Sequence, residues 1–121
     1  MDTNEIKVRL ENLVGDIPEI ELIVIFEISG TQVVSNSLEK KNAELVIQEG
    51  MKLARQSYKF LTKLNKGKLS DLYIMSQTSA IQIMGQSRYG AICILNEEGK
   101  AHFALASKRV RELLIGISQD T

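Results

Sequence analysis

The sequence predicts an α/β protein of the α+β kind: one five-stranded antiparallel sheet with helices on it, in a single domain spanning residues 1–121. Three observations predict it. A chain of 121 residues is about one domain long, enough for one core and too short for two. The apolar spacing alternates between helical and strand periods in the order helix, two strands, helix, three strands, helix. The last three strands are joined by segments short enough for hairpins, which makes neighbouring strands antiparallel.

Residues about 3 to 15 read as the first helix, with Ile6, Leu10, Leu13 and Val14 on one stripe. Thr3 or Asn4 is suited to cap its start, and Gly15 followed by Pro18 to end it. Leu22 to Phe26, with Ile28 beyond Glu27, form a short β-branched run of the kind covered on both faces. Ser29-Gly30-Thr31 supplies a turn, and Gln32 to Ser35 return as the second strand. The longest helix covers about 38 to 65 and stops at Asn65-Lys66-Gly67. Three strands follow at about 69–76, 80–86 and 90–95. The last of them is apolar throughout and therefore central; Ser70, Asp71 and Gln82 interrupt the other two, as nearer an edge. A final helix from about 100 to 117 carries Phe103, Ala106, Val110, Leu113, Leu114 and Ile117 on one side.

The long helix has more apolar surface than one sheet requires. On a wheel of about 100° per residue, Ala43, Val46, Ile47, Gly50, Met51, Leu53, Ala54, Tyr58, Phe60, Leu61 and Leu64 share one half. Polar residues, among them Glu44, Gln48, Lys52, Arg55 and Lys59, share the other. A helix on a sheet needs an apolar stripe only a little wider than roughly 100°. The surplus predicts a protein interface, the alternative being cover by another part of the same chain.

Composition and motifs exclude several functions. Hydrophobic residues make up 44% and charged residues 25%, which excludes a disordered chain. Fifteen basic and fifteen acidic residues cancel, so the field a nucleic-acid binder needs is missing; Lys108, Arg109 and Arg111 read as a solvated helix face. Cys93 is the only cysteine and His102 the only histidine, so multi-cysteine and multi-histidine metal sites are excluded. Cys93 lies in the apolar run 91–95 and reads as a small buried hydrophobe. No nucleophile elbow or phosphate-binding glycine loop is present, and no acid, base and nucleophile set is assembled, so the chain is not expected to be an enzyme or to hold a cofactor. A polar, acidic N-terminus without signal-peptide order, and no apolar stretch long enough to span a bilayer, predict a cytoplasmic protein with no direct membrane insertion.

Local patterns add a family resemblance over nearly the whole chain. Leu10-x-x-Leu13 and Ile17-Pro18-Glu19-Ile20 lead into the first strand. The run from Ile25 to Ser37 follows, with Gly30 at the hairpin glycine, then the long helix, the run from Ser70 to Leu95, and the helix after Asn96-Glu97-Glu98-Gly99. Together these resemble the Roadblock (dynein light chain) family of small GTPase regulators and scaffolds. Each motif alone is weak, and Ile28-Ser29 departs from the acidic residues common before that glycine, which bears on the turn and not on the fold. The related longin fold lacks the leading helix, so residues 3 to 15 favour Roadblock.

The resemblance implies a strand order 2-1-5-4-3 with helices on both faces, in agreement with interior first and fifth strands. It also implies a dimer, with itself or with a related Roadblock or longin chain, made by side-by-side long helices and edge-to-edge third strands. Ile47, Met51, Ala54, Tyr58, Leu61, Leu72, Tyr73 and Ile74 are the interface residues this implies. Such dimers are platforms for Ras-like small GTPases, as scaffold or activator. The corresponding docking residues would be Glu44, Gln48, Lys52, Arg55 and Lys59, with Arg55 or Arg88 available as an arginine finger. A small-ligand sensor or a structural dimerisation module is the alternative function; a thinly polar core argues against the sensor.

Overall fold

The computed structural model describes residues 2–29, 33–36 and 40–120. Helix α1 (Thr3–Asp16) is followed by strands β1 (Ile20–Glu27) and β2 (Val33–Ser35), helix α2 (Lys40–Lys63), and strands β3 (Asp71–Met75), β4 (Ala80–Gln86) and β5 (Tyr89–Leu95). A 3-10 turn, Glu98–His102, then leads into helix α3 (Phe103–Gln119). All strand pairs are antiparallel and the order is β2-β1-β5-β4-β3, so the two apolar strands are interior as expected.

The helix ends follow local chemistry, with two differences from the sequence expectation. Asp2, not Thr3 or Asn4, caps α1, its Oδ1 accepting from the Glu5 amide at 2.9 Å. Gly15 lies inside α1, which closes one residue later at Asp16, where the Ile17 amide bonds back to the Leu13 carbonyl at 2.9 Å. Pro18 then bars continuation. Helix α2 ends as predicted. Asn65 turns to φ 57° and the Lys66 amide reaches back to the Leu61 carbonyl at 2.9 Å, a Schellman closure. The turn anticipated at Ser29-Gly30-Thr31 and the start of α2 at 38 fall partly outside the described residues. Strands β4 and β5 are joined by Ser87 and Arg88 alone, with Ser87 at φ 58°.

The sheet divides the core into two layers. On one face α1 contributes Ile6, Leu10 and Leu13, and α3 contributes Ala106, Val110, Leu114 and Ile117. These pack on Ile23, Ile25, Met84, Tyr89, Ala91 and Cys93. Burial pushes the Cys93 thiol up to about 12, so it is a proton-bearing core group, as its apolar surroundings predict. On the other face α2 is the one helix among the described residues to cover Val24, Phe26, Ile83 and Ile92.

Candidate functional site

Helix α2 meets the sheet along a narrow line. Ala43 is buried, and Val46, Ile47, Met51 and Ala54 are partly buried against the strand residues. At Gly50 the helix comes so close that a Cβ would stand 2.6 Å from Ile92 Cδ1. The rest of the apolar arc stays open. Leu53 is 41% exposed, Tyr58 49%, Leu64 52% and Phe60 63%, and Leu45 on the far side 57%. Four of the ten large hydrophobic side chains exposed among the described residues therefore lie on this one helix, and a fifth, Leu64, stands one residue past its end. At about 100° per residue, Leu53, Phe60 and Leu64 project to one flank of the sheet contact, and Met51 and Tyr58 to the other.

The implied interface residues lie on two elements, α2 and β3. On α2, Ile47, Met51, Ala54 and Leu61 are half-buried, and only Tyr58 of the helical set is exposed. Leu53, Phe60 and Leu64, more open than the four half-buried residues, lie outside the implied set although the wheel puts them in the apolar half. Leu72 and Ile74 pair with Ile83 and Ile81 on the α2 face of β3. Tyr73, one residue out of step, lies on the opposite face. Its ring meets Phe103 edge-on at 5.1 Å and 86°, and its hydroxyl lies 3.4 Å from Ser107 Oγ and 3.1 Å from Arg111 Nη2. Arg111 also donates to Asp71 Oδ2 at 2.9 Å, which raises the Arg111 pKa further, while Asp71 Oδ1 is buried without a partner among the described residues. Strand β3 pairs only with β4 among the described residues, so it is a sheet edge.

Glu44, Gln48, Lys52, Arg55 and Lys59 are all exposed and form one stripe down α2. Lys52 is 3.4 Å from Glu49, an exposed pair of little energetic weight. Arg55 and Lys59 have no hydrogen bond or ion pair among the described residues. Arg88 sits away from this stripe, on the β4–β5 turn, with its guanidinium 5.4 Å above the Tyr89 ring.

Beside the stripe a pocket of about 470 Å³ opens between the second half of α2 and one end of the sheet. Met51, Ala54 and Tyr58 form its helical wall, and Phe26, Ile83, Gly85 and Gly90 its floor. Leu69 and Ser70, leading into β3, close one side, and Arg55 and Lys59 stand at the mouth. Sequence periodicity carried no sign of this pocket, because it depends on how far α2 stands off the sheet at its C-terminal half.

Among the described residues no group of three His, Cys, Asp or Glu converges to hold a metal, and no helix is long and apolar enough to cross a membrane.

No family model matches the chain, and no curated protein matches it in sequence. Solved structures match it in fold. The Roadblock/LC7 domain from Streptomyces avermitilis superposes with a TM-score of 0.79 at 12% identity, over 93% of this chain and 94% of that one. MglB of Myxococcus xanthus gives 0.81 at 8% identity, over 98% and 96%. The gliding protein MglB of Thermus thermophilus gives 0.63 at 11% identity, over 94% and 91%. The fold is that of the Roadblock/LC7 domain, as the local sequence patterns implied.

Proposed function

We propose that the chain is a cytoplasmic dimeric adaptor of the Roadblock kind that binds a Ras-like small GTPase, as scaffold or as activating partner. The observation that carries the reading is the uncovered apolar surface of α2, adjoining an exposed polar stripe on a fold shared with Roadblock/LC7 and MglB. Burying Leu53, Phe60 and Leu64 against a second copy would contribute roughly 1.5–3 kcal/mol each before association costs. A two-fold axis beside α2 sets each such patch on its own counterpart. Edge-to-edge β3 pairing would in the same step satisfy backbone groups that otherwise invite aggregation.

In this reading Glu44, Gln48, Lys52, Arg55 and Lys59 meet the GTPase. The chain supplies no assembled chemistry of its own; it acts by ordering the partner's switch residues or by offering Arg55 to the developing phosphate charge. Light scattering tests the assembly, with a mass twice that of the chain expected. A monomer at high concentration would remove the platform. Pull-downs with nucleotide-loaded small GTPases encoded by the same genome test the partner: capture in one nucleotide state is expected, and capture in none overturns the GTPase reading.

A further inference from the structure

The pocket under the C-terminal half of α2 has the form of a ligand site. Its volume of about 470 Å³ falls within the range of small-molecule sites, roughly 300–1,000 Å³. The walls are apolar: Phe26, Ile83, Met51 and Tyr58 present carbon, and the missing side chain at Gly85 leaves the floor open. Charge is confined to the mouth. Arg55 and Lys59, one helical turn apart, stand there, and among the described residues neither side chain has a partner and no acidic side chain lines the pocket. Ser70 adds a hydroxyl at the rim. Two uncompensated cations over an apolar hollow select for an anionic head on an apolar body. Met51, unbranched and adaptable, suits a wall that closes around a flexible chain.

We infer that this pocket binds a single-chain amphiphile with an anionic head, its acyl chain against Phe26 and Ile83 and its head between Arg55 and Lys59. The inference does not depend on the GTPase reading, since it concerns the free protein.

Titration calorimetry of the full chain with decanoate and with decyl phosphate, both below their micellar range, tests it. Decyltrimethylammonium and decanol serve as head-group controls. Saturable binding of one anion per chain is expected, and the preferred anion distinguishes a carboxylate from a phosphate ligand. Arg55→Ala and Lys59→Ala should each weaken the anion about ten-fold and leave decanol unchanged. Gly85→Leu should abolish binding by filling the floor, because a Cβ there meets only the Tyr89 carbonyl at an ordinary 3.9 Å. Ala54→Leu, on the opposite wall, replaces it if Gly85→Leu fails to fold. Absence of saturable binding, equal affinity for the cationic amphiphile, or unchanged affinity in the filled variants would each overturn the inference.

Discussion

The two faces of the sheet are covered to different degrees. On the α1 and α3 side two helices close over the strands, and Leu10, Ile23, Val110, Leu114 and Ile117 are sealed from solvent. Ion pairs between Arg9 and Asp120 and between Arg109 and Asp16, each 2.8 Å, bridge the exposed rim of that layer. On the other side one helix lies on the same five strands. Leu22, Ile81 and Ile94 remain partly buried beneath it, and the helix itself keeps Leu53, Phe60 and Leu64 in water. One face is finished by its own chain; the other has the apolar character of a core and the exposure of a surface. That difference separates residues that hold the domain together from residues available to a partner.

The sharpest break in this comparison is a truncation on the closed face. Leu114→Ala should cost about 2–5 kcal/mol by denaturant unfolding, since a fully buried leucine leaves a cavity. On the α2 face, Gly50→Leu should cost about 1–3 kcal/mol, because Ile92 already stands within 2.6 Å of a Cβ. Equal tolerance of Leu at 50 and at an exposed α2 position such as Gln56 would mean that α2 is not seated as described.

Alkaline pH probes the closed layer without a cavity. Cys93 has its thiol pKa raised by burial from 9.0 to about 12, so the unfolded chain releases this proton first. Stability from this group is whole below about pH 9 and falls between about 9 and 12, by about 1.4 kcal/mol per pH unit. Unfolding of the reduced protein at pH 8 and pH 10 should show the drop, and Cys93→Ala should remove that part of it.

The smallest expected change in fold stability has the most to say about function. Phe60→Asp, on a side chain 63% exposed, should stay within about 0.5 kcal/mol in dilute unfolding experiments. At high concentration the same substitution should halve the solution mass if α2 meets a second copy. An unchanged dimer would move the interface to the Tyr58 flank or away from α2.

Much of the architecture was legible from residue spacing. The β-branched runs at 22–26 and 91–95 marked the interior strands, and Asn65-Lys66-Gly67 marked the end of α2, because these depend on neighbours in the chain. The cap of α1 was placed one or two residues late, since Asp2, Thr3 and Asn4 all suit the position and only backbone geometry selects among them. On the β3 edge a two-residue period turns Tyr73 to the face opposite Leu72 and Ile74, but only the packing of α3 brings Phe103 and Arg111 to meet it.

The amino-acid order by itself determined the succession of elements, the antiparallel sheet and the breadth of the apolar arc on α2. Those properties follow from backbone preference and side-chain periodicity within single segments. Tertiary structure decided which part of the arc touches the sheet, which flank stays wet, and that a cavity opens between Met51, Tyr58 and Phe26 with Arg55 and Lys59 at its mouth. Such facts depend on the separation and tilt of elements far apart in the chain, which close contacts such as Gly50 on Ile92 set and no local pattern encodes.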